Sequence, residues 1–143
     1  EMWALFGEKR NKPASQDITN NLGTVLRILP NRDPDGSGYE PAPGNPFADQ
    51  EGASPDIYAI GLRSPWKGVL DAQQRLWIGD VGSDHWEEVN LVDSPGQNFG
   101  WPDHEGYCTS GCDDHRCLDN SSSYHNSCTS DINGNLNYWD VTK

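Results

Sequence analysis

Punctuation constrains this chain most: glycine or proline breaks its short apolar runs roughly every 10–20 residues, and nowhere do apolar residues hold a helical spacing. Leu22–Leu29 alternates around β-branched residues and is bounded by Gly23 and Pro30. Asp56–Gly61 and the weaker Trp66–Asp71 are strands by composition, with Asp71-Ala72-Gln73-Gln74 as a hairpin turn into Leu76-Trp77-Ile78. Glu88–Val92 is a further strand. Strands this short and this frequent predict an all-β propeller or sandwich.

Between these runs the chain is loop. Residues 1–21 show no period and read as irregular, and residues 39–55 as a long connection. Residues from Tyr107 to about Ser130 hold almost no aliphatics, and Leu136-Asn137-Tyr138-Trp139 resumes a strand. With only 34% hydrophobic residues, the six tryptophans are expected to supply much of the core, Trp77, Trp86 and Trp101 among them, in preference to stacking on sugar rings.

Charge excludes several classes of function. Ten basic against 22 acidic side chains give a net charge of −12, which repels nucleic-acid phosphates and anionic lipid surfaces. No stretch reaches the ~20 apolar residues of a membrane helix. Glu1-Met2-Trp3 opens without the basic start and apolar core of a signal peptide, so either the protein is cytosolic or its beginning lies upstream.

The cysteines favour the second reading. Cys108, Cys112, Cys117 and Cys128 cluster in a polar stretch, which predicts two disulfides in an oxidising compartment, with three pairings open. Cys108, Cys112, Cys117 and His115 together offer a zinc ion three thiolates and an imidazole, but without the two-residue knuckle of common zinc sites. Asn120-Ser121-Ser122 is a glycosylation acceptor and agrees with secretion.

Two acidic turns are candidate cation sites. Gly79-Asp80-Val81-Gly82-Ser83-Asp84 combines carboxylates with glycines that let carbonyls approach a ligand, and Glu87 and Glu88 follow closely; a calcium site and a plain acidic turn fit equally well. Asp33-Pro34-Asp35-Gly36-Ser37-Gly38 copies half an EF-hand loop, but Gly44 stands where the bidentate glutamate belongs and Pro41 and Pro43 forbid the exiting helix, so it reads as a surface turn. His85 and His104 read as solvated loop histidines.

Six blocks then stand in order: Leu22–Ile28, Asn45-Pro46-Phe47, Pro55–Trp66, Gly79–Gly82, Trp86–Leu91 and Asn98-Phe99-Gly100-Trp101-Pro102. This ordered set resembles the glucose/sorbosone dehydrogenase family, over about Leu22 to Gly106. The cysteines after Glu105-Gly106-Tyr107 are closer to its hedgehog-interacting-protein-like branch than to bacterial enzymes. The resemblance implies a six-bladed β-propeller, of which this chain makes about two blades, with pyrroloquinoline quinone at the channel mouth beside calcium. With the aliphatic-poor, cysteine-bearing stretch that follows, the chain divides into partial propeller blades (1–106), a disulfide-rich loop insertion (107–130) and a return to a blade strand (131–143).

Residue by residue, the resemblance implies that Arg63 and Ser64 belong to the quinone shell and that the carbonyls of Gly82 and Ser83 hold the calcium that bridges to the quinone. Glu88 and the carbonyl of Phe99 match a second, structural calcium site. Arg63's fixed fork suits quinone carboxylates, although an arginine tying two strands through Asp80 or Asp84 has the same sequence signature. Quinone-binding members usually carry asparagine where this chain has Ser64, and proline where it has Ser83. Their catalytic histidine lies in an earlier blade, and none of the four histidines here occupies that context.

Two functions follow. The first is part of a secreted sugar dehydrogenase that oxidises a sugar hydroxyl with quinone and calcium, completed by the remaining blades of the same protein. The second is a non-catalytic extracellular binding or structural propeller module of the hedgehog-interacting-protein-like type, with an extracellular protein as partner.

Overall fold

The computed structural model describes residues 1–31, 38–83, 87–105, 108–109 and 138–141, the last two segments by backbone alone. Its first sheet is built on β2 (Thr24–Pro30), whose antiparallel partner on one side is β1 (Met2–Phe6), in the register Met2↔Ile28 to Phe6↔Thr24. Two short strands share the other edge of β2: β3 (Tyr39–Pro41) pairs with its outer half and β4 (Ile57–Ala59) with its inner half. A register shift between Val25 and Leu26 interrupts the β2–β4 pairing itself.

The second sheet is a four-stranded antiparallel array, β5 (Pro65–Leu70), β6 (Leu76–Asp80), β7 (Glu87–Val92) and β10 (Tyr138–Val141), each strand paired with the next. A short hairpin, β8 (His104–Glu105) with β9 (Cys108–Thr109), stands apart from both sheets. Among the described residues helical structure is limited to one 3-10 turn, Lys12–Gln16, entered through Pro13. No helix among them is long and apolar enough to cross a membrane.

Burial explains why these segments are strands. Val25, Ala59, Leu62, Leu76, Ile78, Val92 and Phe99 form one cluster with Tyr58, which joins the two sheets; Leu26, Ile28, Ile57 and Ile60 form a second. Side chains alternate across a strand, so β2 is apolar at successive positions because it feeds both clusters. In β6 only Leu76, Ile78 and Asp80 point inward, which produces its alternation and carries a carboxylate to the core face at the strand's end.

Two expectations are corrected here. Residues 1–21 are not irregular throughout: Met2–Phe6 is a strand, and its pairing with β2, some twenty residues on, supplies the order that its own pattern lacks. Nor, among the described residues, do tryptophans supply much of the core. Trp101 is buried, Trp3 and Trp77 are half-buried, Trp66 is 83% exposed, and the buried clusters are mainly aliphatic. Trp77 lies on the face of β6 opposite Ile78 by strand alternation, and there its indole Nε1 donates to Asp71, 3.0 Å away. Trp86 and the turn at 32–37 lie outside the described residues.

Asp71 organises the β5–β6 turn. Its carboxylate accepts from Trp77 Nε1, from the backbone amides of Gln73 and Arg75, and from the Arg75 guanidinium, which also forms an ion pair at 2.7 Å. These donors, the Trp77 indole foremost, hold the Asp71 carboxyl well below the usual carboxylate range. The folded state thus releases this proton more readily than the unfolded chain, so the stabilisation is complete above the ordinary aspartate pKa and is lost as pH falls through the depressed value. Urea unfolding of wild type and Asp71→Asn should show the wild type ahead at pH 7, with the gap closing as pH drops below about 4. A gap that widens on acidification contradicts this assignment.

Candidate functional site

The segment 60–64 is held from several sides. Ile60 N donates to Gln97 O (2.9 Å), Gly61 N to Ser15 O (2.9 Å) and Leu62 N to Gly23 O (3.0 Å), while Trp101 N donates to Gly61 O (3.0 Å). Leu62 is fully buried and plugs the core. Arg63 therefore leaves the sheet from a fixed anchor.

Asp80 completes that anchor. Its Oδ2 accepts from Arg63 N (3.0 Å) and its Oδ1 from Ser64 N (2.6 Å), while Val81 N donates to Ser64 O (3.1 Å). Asp80 is 4% exposed, and burial pushes its carboxyl up to about 6 in spite of those amides and the nearby Arg63 charge. Sequence reasoning left open an ion pair between Arg63 and Asp80. Asp80 instead accepts from the backbone amides of Arg63 and Ser64, and the guanidinium hydrogen-bonds elsewhere.

Those acceptors are carbonyls. Arg63 Nη1 donates to Val81 O (2.9 Å) and Gly82 O (2.7 Å), and the guanidinium lies 5.4 Å from the centre of the Trp101 ring. On the other side of the same two peptides, Gly82 N donates to Glu87 Oε2 (3.1 Å) and Ser83 N donates to the Glu105 carboxylate. The Glu88 carboxylate accepts from Asn90 Nδ2 (3.3 Å).

Arg63, Asp80, Val81, Gly82, Glu88, Trp101 and Glu105 line one shallow cleft. Arg63, Gly82 and Glu88, three of the residues singled out in the sequence, thus meet there, with Ser64 and Ser83 next to them in the chain. Phe99 is placed differently: it is 7% exposed in the inter-sheet cluster, its amide on Ile60 O, and it does not line the cleft. His104 is half-buried, its amide on Gly100 O. Asp84, His85, Cys112, Cys117, Cys128 and Asn120 lie outside the described residues, as does the side chain of Cys108.

The cleft combines backbone carbonyls, carboxylates and one guanidinium. Asp80, Glu88 and Glu105 line the cleft with one guanidinium, and Glu87 holds the Gly82 amide; among the described residues no three His, Cys, Asp or Glu side chains are grouped to hold a metal ion, so any cation here would rest on backbone carbonyls as well. Carbonyl oxygens carry two lone pairs, so those of Val81 and Gly82 retain acceptor capacity beside Arg63. Arg63 Nε and Trp101 Nε1 are buried donors with no partner among the described residues, groups that an anionic ligand satisfies.

Trp101 and Glu105 were missed as cleft residues. Trp101 was read as core and Glu105 was not singled out, because the contact of Glu105 with Ser83 spans 22 residues and no local pattern announces it.

Comparison with known proteins gives a consistent result. A family model described as Glucose / Sorbosone dehydrogenase matches residues 1–130. HIPL1 protein of Arabidopsis thaliana is 33% identical over 103 residues, covering 64% of this chain and 15% of its own length. Aldose sugar dehydrogenase YliI of Escherichia coli is 27% identical over 103 residues, covering 71% and 25%. Among solved structures, the PQQ-bound aldose sugar dehydrogenase of Streptomyces coelicolor is 39% identical with a TM-score of 0.58, covering 73% of this chain and 27% of that one. A glucose dehydrogenase-type oxidoreductase of Thermus thermophilus is 34% identical with a TM-score of 0.60, covering 70% and 29%. The fold is all-β and part of a propeller, and the chain spans a quarter or less of these two curated relatives.

Proposed function

We propose, since this chain belongs to the glucose/sorbosone dehydrogenase family, that it is the part of an extracellular sugar dehydrogenase propeller that presents Arg63 and the Gly82–Ser83 loop to pyrroloquinoline quinone and calcium. The observation that supports this reading is the convergence of Arg63 with the Val81 and Gly82 carbonyls, at 2.9 and 2.7 Å, in a cleft also lined by Asp80, Glu88 and Glu105. Carbonyl and carboxylate oxygens are what a hard divalent cation takes. A guanidinium fork is what a planar polycarboxylate takes.

In this scheme the carbonyls of Gly82 and Ser83 hold the calcium, Arg63 and Ser64 orient the quinone, and Glu88 and Phe99 serve the second ion. The bound quinone supplies the acceptor for the hydride that leaves the sugar carbon. Trp101, with its ring under the guanidinium, keeps one side of Arg63 away from water and so strengthens its pull on an anion. The base that takes the hydroxyl proton belongs to another blade. The sugar and the other blades of the same protein are the partners. Cys108, Cys112, Cys117 and Cys128 form two disulfides, and Asn120 carries glycan, in the 107–130 insertion between the blade segments 1–106 and 131–143.

Full-length protein reconstituted with quinone and calcium should reduce an artificial dye in the presence of an aldose, and chelation should abolish the signal. Absence of turnover with every aldose tested, under conditions where quinone binds, favours the second reading: a propeller that keeps the architecture as an extracellular binding module. Ser64 supports that alternative, because it lacks the amide donor and acceptor of the usual asparagine.

A further inference from the structure

The carboxylate of Glu105 has no role in the scheme above, yet it touches the loop on which that scheme turns. In a trans peptide the N–H and the C=O of one unit point in opposite directions. The Gly82 amide shares its plane with the Val81 carbonyl, and the Ser83 amide shares its plane with the Gly82 carbonyl. Gly82 N donates to Glu87 at 3.1 Å and Ser83 N donates to Glu105, so both carbonyls are turned the other way, to meet Arg63 Nη1. Two carboxylates on one side and one guanidinium on the other thus clamp two successive peptide planes. Glycine at 82 makes the clamp matter, since a residue without Cβ has a wide choice of backbone orientation.

We propose that Glu105 is a positioning residue: through the Ser83 amide it fixes the direction of the Gly82 carbonyl and so presets the oxygen offered to the cation. The metal part of this inference rests on the function proposed above; the orientation part does not. Glu105 lies on β8, whose partner β9 begins at Cys108, so the same residue ties the root of the cysteine-bearing segment to the loop. Supporting groups of this kind typically change metal affinity 10–100-fold when removed.

The test uses the full-length protein and two variants that separate reach from charge. Glu105→Gln keeps an acceptor oxygen at the same distance and loses the charge; Glu105→Asp keeps the charge and withdraws it by one methylene. Backbone exchange is read by hydrogen–deuterium mass spectrometry on the peptide spanning residues 79–84 in calcium-free buffer, and calcium affinity by calorimetry. The expected result is faster exchange in Glu105→Asp, by about tenfold or more, with a calcium Kd weakened about 10–100-fold, and near wild-type values of both in Glu105→Gln. Unchanged exchange in Glu105→Asp overturns the proposal, as does faster exchange with calcium affinity intact, or damage in Glu105→Gln equal to that in Glu105→Asp. If the wild type binds no calcium, the functional reading fails, and the exchange data alone then decide for or against Glu105 as the residue that orients the loop.

Discussion

Alanine at Gly61 is expected to cost the protein on the order of 3–5 kcal/mol and to abolish accumulation of folded material. Two effects add. The residue sits at φ +81°, where a Cβ brings about 1–2 kcal/mol of strain. That Cβ also meets the Asn98 side chain and, at 2.6 and 2.9 Å, the backbone nitrogens of Gly100 and Phe99. Backbone cannot swing aside as a side-chain tip can, and this backbone is the stretch whose Trp101 amide holds Gly61 O and whose Phe99 amide holds Ile60 O. Gly52 is the control: its φ is also +81°, but an added Cβ meets nothing within 4 Å. Gly52→Ala should therefore show the strain alone, about 1–2 kcal/mol. Equal unfolding midpoints for the two variants contradict the packing assigned to the 58–61 and 96–101 segments.

The second large effect is at Arg63. Arg63→Lys retains one positive charge but loses the fork, and an ammonium does not at once bridge the carbonyls of Val81 and Gly82 and lie flat on Trp101. Hydrogen bonds to charged groups contribute about 1.5–3 kcal/mol each, so quinone affinity should fall about 10–100-fold. Stability should fall by no more than about 1.5–3 kcal/mol, the loss of the one intramolecular carbonyl hydrogen bond that an ammonium does not replace, because the amide of residue 63 still donates to Asp80 and its carbonyl still accepts from Glu8. Quenching of tryptophan fluorescence on titration with quinone reads the affinity, and thermal unfolding reads the stability. An affinity within twofold of wild type removes Arg63 from the cofactor shell.

How far the sequence reveals these features depends on the range of the interactions that create them. β2, β6 and β7 were legible because their burial is written in their own residues, as a continuous apolar run in β2 and as Leu76, Ile78 and Asp80 alternating with Trp77 and Gly79 in β6. β1 was not, since Met2–Phe6 shows no polar alternation and owes its order to a distant partner. Tryptophan count misled for a related reason: Trp77 and Trp101 look alike in composition, but strand alternation puts one on the outer face, where its indole meets Asp71, while the other is buried beside Arg63.

The site divides in the same way. Arg63, Gly82 and Glu88 came from an ordered family resemblance, and the cleft brings those three together. The acidic turn also made Asp80 and Glu87 visible as candidate oxygen donors. What each carboxylate binds was not visible. Asp80 accepts from amides 16 and 17 positions earlier, and Glu105 from one 22 positions earlier. Such contacts depend on how β6 registers against the 61–64 loop, information that no local window contains.

On the function proposed here, the cleft between Arg63 and the Gly82–Ser83 loop receives calcium and a quinone carboxylate together. Diffraction from the full-length protein grown with both, read at a wavelength where calcium scatters anomalously, tests it directly. The account predicts a calcium peak about 2.3–2.6 Å from the Gly82 carbonyl oxygen, with a quinone carboxylate on the Arg63 guanidinium. A quinone bound elsewhere, with no ion at Gly82 and Arg63 still closed on the Val81 and Gly82 carbonyls, contradicts it.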